Sequence, residues 1–178
     1  MNRHRLLAAP AILLLLTSYP ADPGSLTATS RWVETPWAMP RDQFGKGLAF
    51  RCGVSDCGRE VVVHVRAKLG FCDCMNGITD DDHLDQIGDA DLLGGGKPMA
   101  QGRLVSVGPM DGRLRAYASE RTGLRTMSLL TLAVKERCDV IVATAVVNGA
   151  NPLAQEAAML SLLNSDKVRG WAERALGL

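Results

Sequence analysis

Catalytic side chains are what this sequence has least of. It carries three histidines, His4, His64 and His83, and aromatic residues make up 4% of the chain. No Gly-x-Ser-x-Gly turn occurs to present a nucleophile, and no paired-carboxylate motif stands out. Both absences argue against ordinary hydrolytic or acid–base chemistry. There is no Cys-x2-Cys knuckle of the kind that closes a structural zinc site, and no Asn-x-Ser/Thr sequon. No apolar run reaches the about 20 residues that a membrane-crossing helix needs. Charge of either sign is not in excess, the formal net charge being +1. A balanced chain has no global field to hold phosphate backbones, so nucleic acid is not an expected partner.

What is present starts with the first thirty residues. Arg3 and Arg5 precede an apolar run, Leu6 to Leu16, broken only by Pro10, and small or turn-forming residues follow. That is the tripartite pattern of a secretory signal. Ala28-Thr29-Ser30 fits the small-x-small cleavage rule, whereas a cut near Ala21 places Tyr19 where a small side chain is preferred. The expected organisation is therefore a signal peptide over 1–30 and a single domain over 31–178, periplasmic or secreted. Contact with a membrane is expected only through the signal segment, if it is left uncut. Removing it takes away Arg3, Arg5 and Asp22, which leaves basic and acidic side chains equal in number.

Export gives meaning to the five cysteines, Cys52, Cys57, Cys72, Cys74 and Cys138, because an oxidising compartment lets cysteine pairs close and persist. Cys52 and Cys57 flank a short loop between two strand-like segments, which suits a bridge between them. Cys138 is far away in sequence, and a bond to it from Cys72 or Cys74 closes a long loop; Cys74 is the preferred partner. The Cys72-Asp73-Cys74 pair also raises an alternative, thiol–disulfide exchange, since a bond between cysteines two apart is strained and easily reduced. Against it, Met75-Asn76-Gly77 follows as a turn, where an oxidoreductase places a helix N-terminus. A second alternative is a soft-metal site, copper or zinc, built from cysteines with His64 and His83. Their spacing does not support it, so no metal and no cofactor is expected.

Along the chain, Trp32, Pro36, Trp37 and Pro40 mark an extended, irregular beginning. Segments 47–52 and 60–67 read as strands, the second with Val61, Val63 and Val65 on one face and Val62, His64 and Arg66 on the other. Thr79 is placed to cap a short helix whose first turn is acidic and whose buried side is Leu84 and Ile87. Of the aspartates nearby, Asp89 and Asp91 begin a calcium-loop spacing that fails at Leu93 and Ala100, so capping and solvation account for them. Gly94-Gly95-Gly96-Lys97-Pro98 lacks the hydroxyl residue of a phosphate loop and reads as a linker.

Asp111-Gly112 is a hairpin signal between arms 103–110 and 113–118. Arg113, Arg115 and Tyr117 then share one face of the second arm. With Arg103, and with Arg121 and Arg125 nearby, they form the expected recognition surface for a protein or a small acidic ligand. A solvated sheet face is the plainer account of the same residues. Two further strands, 127–134 and 140–147, make another hairpin, the latter apolar on both faces and so buried on both. Asn151-Pro152 opens a helix with Leu153, Ala157, Leu160 and Leu163 at helical spacing, and Ser165-Asp166 opens another with Val168, Trp171, Ala172, Ala175 and Leu176 on its stripe.

Together these elements give an α+β fold, an antiparallel β-sheet covered by helices, with two C-terminal helices and supplementary disulfides. In element order, and in Asp111-Gly112-Arg113 with Tyr117 and the terminal helix around Trp171, the chain resembles PsbP-like domains. That resemblance implies a non-catalytic accessory or assembly role. The chain also resembles small exported proteins of unknown function from Gram-negative bacteria, a likeness that brings no activity with it. The reading is a non-enzymatic exported binding or accessory domain.

Overall fold

The computed structural model describes residues 31–39, 42–70, 77–120 and 126–178. The segment read as a signal, together with Cys72, Cys74, Arg121 and Arg125, lies outside them. Among the described residues eight strands form one antiparallel sheet: β1 Val33–Thr35, β2 Leu48–Cys52, β3 Val61–Lys68, β4 Gly95–Pro98, β5 Arg103–Val107, β6 Met110–Ser119, β7 Met127–Glu136 and β8 Asp139–Asn148. The order across it is β1-β2-β3-β8-β7-β6-β4, and β5 pairs with the other end of β6. Among the described residues four α-helices accompany it: α1 Val54–Cys57, α2 Asp81–Ile87, α3 Glu156–Leu163 and α4 Asp166–Leu176.

The alternation written into β3 propagates by register. Val61, Val63 and Val65 lie opposite Val147, Ala145 and Ala143 of β8, which lie opposite Ser128, Leu130 and Leu132 of β7. With the exception of Ser128, these side chains form one buried cluster with Leu114 and Ala116 of β6, Met159, Leu162 and Leu163 of α3, and Val168 and Ala172 of α4. The other face carries a smaller apolar cluster in which Leu84 and Ile87 of α2 meet Ala133, Val140 and Val142. At α4 the expected stripe is found, with the Ser165 hydroxyl accepting from the Val168 N–H and Gly177 closing the helix at φ 70°. At the preceding helix the stripe is rotated. Residues 152–155 form a 3-10 turn, so Leu153 is exposed and Pro152, Gln155, Met159, Leu162 and Leu163 are the buried positions.

Two local readings are corrected. The β5–β6 turn is Gly108-Pro109, with Val107 opposite Met110, whereas Asp111 and Gly112 lie inside β6. Gly108 supplies the positive φ, 55°. Gly112 serves a different purpose, because a Cβ there would sit 1.9 Å from the Ala133 carbonyl oxygen of β7. Residues 95–98 are likewise a strand and not a linker: β4 pairs with the far end of β6, Gly95 opposite Ser119 and Pro98 opposite Tyr117. Proline is tolerated there because β4 is an edge strand and needs no outward N–H.

The four-residue connection after Cys52 is a single helical turn, α1, and Cys52 and Cys57 are joined across it with Cα atoms 6.0 Å apart. Cys138 is disulfide-bonded as well, its partner lying outside the described residues.

Candidate functional site

The second sheet face, the one that meets α2, is unusually polar for a buried surface. Strand β3 places His64, Arg66 and Lys68 there, all at or below 6% exposure. Register continues the row from His64 to Thr144 of β8, Thr131 of β7 and Arg115 of β6. The two threonine hydroxyls are 3.2 Å apart and fully buried.

Buried charges need partners, and α2 supplies them. Asp81, Asp85 and Asp89 recur at i, i+4 and i+8, the spacing that puts side chains on one helical face. Asp89, just past the end of α2, accepts from Arg66 Nε at 2.7 Å and from Arg66 Nη2, and lies 2.9 Å from Lys68 Nζ. Lys68 also donates to the Ile87 carbonyl at 2.6 Å. Arg66 Nη1 reaches Asp42 at 2.7 Å. Two cations and two anions therefore balance in a group whose centre, Arg66 and Asp89, is shielded from solvent. Burial lowers the Lys68 pKa, against the pull of Asp89. For Asp42, burial acts upward but is outweighed by the Arg66 and Phe44 N–H bonds, so its pKa falls below the ordinary carboxylate value.

Asp81 and Asp85 hold the other end of α2. Asp81 accepts from the Gly102 N–H at 3.0 Å and from Arg113 Nε at 2.6 Å, and the Gly102 bond is the chief reason its pKa is depressed. Asp85 accepts from Arg115 Nη1 at 2.7 Å and from the Tyr117 hydroxyl at 2.5 Å. Burial, then the bond to Asp85, raises the Tyr117 pKa well beyond its usual value. The cap of α2 is the Asp80 carboxylate, accepting from the His83 N–H at 2.8 Å, and not the Thr79 hydroxyl.

The wet basic face expected on β6 is thus overturned. Tyr117 is 4% exposed, and the Arg113 and Arg115 side chains only 17% and 14%. Their donors are directed into α2, the Gly102 carbonyl and the Ala100 carbonyl. Arg103 stands apart on β5, half-exposed and paired with Glu156 at the start of α3. The same geometry corrects the account of the aspartates, since solvation does not describe Asp81 or Asp89. The i, i+4, i+8 spacing was the sequence signal for this clamp; what periodicity omits is which face of the sheet receives it.

His64 is the one member of the polar row left without a partner. It is 6% exposed, and neither Nδ1 nor Nε2 has a hydrogen-bond partner among the described residues. Trp37 packs edge-on against it, ring centroids 5.4 Å apart, and the indole N–H is likewise buried and unpartnered. Desolvation holds the imidazole pKa below its ordinary value, opposed by the charge of Asp89, so the ring is neutral near pH 7. His64 lines a cleft of ≈ 470 Å³ whose walls include Pro36, Val62, Leu92, Leu93 and Val146, with Arg51 also on its lining. Arg51 is matched by Glu60 at 2.7 Å. A larger groove of ≈ 590 Å³ runs past Ile78, Val105 and Lys135, but no buried unpartnered side-chain atom among the described residues lines it.

His83 lies at the start of α2, and no cluster of three or more His, Cys, Asp or Glu side chains suited to a metal occurs among the described residues. No described helix is long and apolar enough to cross a membrane. Cys72 and Cys74, the alternative redox pair, lie outside the described residues.

No family model matches the chain, and no curated protein is similar to it at a significant level. Among solved structures it is similar to LpqN of Mycobacterium tuberculosis, described as involved in cell envelope biogenesis. The identity is 14% and the TM-score 0.40, over 78% of this chain and 76% of that one. A likeness this remote carries no functional argument.

Proposed function

We propose that this chain is a non-enzymatic binding or accessory domain of an extracytoplasmic compartment, stabilised by disulfides, and that its ligand site is the cleft beside His64. The observation that carries the site is an apolar cleft lined in part by a buried histidine that has no hydrogen-bond partner among the described residues. In this reading the helices cover both sheet faces, and the cleft lies where the cover of the second face stops, beyond Leu92 and Leu93. The Cys52–Cys57 bridge supports an oxidising destination. The clamp of Asp81, Asp85 and Asp89 then acts as scaffold, holding the polar row in place and leaving its guanidinium groups occupied.

Two measurements test the reading. Expression with residues 1–30 present should yield, outside the cytoplasm, a shortened product whose Cys52 and Cys57 resist alkylation. Recovery of the full-length chain from the cytoplasm with all five thiols reactive contradicts it. For the cleft, the neutral dye Nile red should brighten on the folded protein, and Val146→Trp, which fills the cleft from β8, should abolish this without unfolding the domain. Absence of dye capture by the unaltered protein removes the cleft as a ligand site.

A further inference from the structure

A strand at the end of a sheet presents unpaired backbone N–H and C=O groups, and folded proteins protect such edges with short strands, lysine or proline. Two edges here are protected in that way: β1 is three residues long, and β4 carries exposed Lys97 and Pro98. The β5 edge is not. Its five residues, Arg103-Leu104-Val105-Ser106-Val107, include neither lysine nor proline, and among the described residues they pair on one side only, with β6. Val107 and Met110 close the two-residue Gly108-Pro109 turn and so exchange backbone bonds; the alternation that follows turns the N–H and C=O of Leu104 and Ser106 to the open edge. The Leu104 side chain is 73% exposed.

Helix α3 runs beside this edge. Glu156, its first residue, is paired with Arg103, and Asn164 at its end accepts from the Gly108 N–H at 2.8 Å. It buries Met159, Leu162 and Leu163, but Ala157, Ala158, Leu160 and Ser161 on its remaining surface are uncharged, and Leu153 in the preceding turn is 44% exposed. A helix without a charged face needs cover on more than one side. By contrast, α4 turns Lys167, Arg169, Glu173 and Arg174 to solvent. The strand edge and the helix flank thus form one surface in which the charge of Arg103 is already matched by Glu156.

We propose that this surface pairs with a second copy of the chain, β5 against β5 in antiparallel register about Val105, so that one sheet continues across a twofold axis. The occupant follows from what the edge asks for: an extended, uncharged strand whose outward backbone groups recur two residues apart. That is what β5 itself offers. In this register Leu104 lies opposite Ser106 of the second copy, and Ser106 opposite its Leu104, each pair exchanging two backbone bonds. One interface then covers both exposed leucines, each landing beside the Ser106 that lines the groove past Ile78 and Lys135. Arg103 falls opposite Val107 of the second copy, so no like charges face one another. With the strands about 4.8 Å apart, the two α3 flanks, on the same sheet face, are brought towards each other and exclude water from the joint.

Sedimentation velocity of the oxidised protein from about 1 μM to about 1 mM, with amide hydrogen exchange at both ends of that range, tests the pairing. The contact is small, so the chain should pass from monomer to dimer within the range. Exchange at Leu104 and Ser106 should slow only in the dimer. Ser106→Pro removes an outward N–H that the β5–β6 ladder does not use, and Leu104→Lys supplies the charge this edge lacks. Each should raise the dissociation constant at least tenfold with little change in the urea midpoint of the monomer, whereas Val33→Lys, at an exposed position on the β1 edge, should leave the dimer as it is. A monomer at every concentration overturns the proposal and leaves the edge to a foreign strand. So does a dimer insensitive to Leu104→Lys, or exchange at Leu104 and Ser106 that does not respond to concentration. Assembly beyond the dimer overturns the twofold register.

Discussion

Asp89 is the position at which the ion-pair clamp is most exposed to experiment. Asp89→Asn keeps the shape of the side chain and removes its charge, taking away the buried carboxylate that Arg66 and Lys68 share. Breaking a buried pair by deleting one partner costs about 3–5 kcal/mol. That is a large share of the about 5–15 kcal/mol that holds a domain folded. At roughly 2–4 °C per kcal/mol for a chain of this size, the melting temperature should fall by about 6–20 °C. Urea denaturation followed by tryptophan fluorescence gives the free energy directly, with an unchanged slope expected if both end states keep their compactness. Asp91→Asn, at an exposed position two residues on, is the matched control and should stay within about 0.5 kcal/mol. Replacing Arg66, Lys68 and Asp89 together by Met, Met and Leu should cost much less than Asp89→Asn alone, because no buried cation is left behind and Asp42, which loses Arg66, is partly open to water. A loss below about 1 kcal/mol for Asp89→Asn would refute the reasoning, since it would mean that water or rearrangement compensates the cations.

Three further outcomes follow from the same structure. Converting Cys52 and Cys57 to serine opens a short loop, and the chain-entropy treatment puts the cost at about 2 kcal/mol, measurable as a urea midpoint shift with and without reductant. Gly112→Ala drives a Cβ into the Ala133 carbonyl and should cost about 1–3 kcal/mol or more through displacement of β7 from β6; Gly108→Ala meets open space and should cost about 1–2 kcal/mol through its positive φ alone. Acid should destabilise the domain in two stages. Burial depresses the His64 pKa, so the unfolded chain takes up that proton first, and the associated stability, present above pH 6.5, declines as pH falls below it. The depressed carboxyl of Asp81 contributes stability present above pH 3.8 that is lost as pH drops through its folded value. His64→Phe should erase the upper stage and leave the lower one, a result that denaturation midpoints across pH 3–8 would show.

The amino-acid sequence by itself determined the central strands of this protein, because β3, β7 and β8 carry their faces in period-2 or doubly apolar patterns that survive any context. It determined α4 equally well, since Ser165, the buried stripe and Gly177 are all local signals. The short bridge between Cys52 and Cys57 was legible for the same reason, both cysteines sitting at the ends of one strand connection. Tertiary structure decided what local chemistry leaves open. Gly95 to Pro98 becomes a strand only because the far end of β6 lacks another partner, and Gly112 is required by a carbonyl on a different strand. Arg113, Arg115 and Tyr117 share a face whether it is wet or buried; the arrival of Asp81 and Asp85 settles which. His64 was visible as a lone histidine opposite valines, yet its burial without a partner and the cleft it helps to line arise where β1, β3, β8 and the turn after α2 converge, and no single segment encodes that meeting.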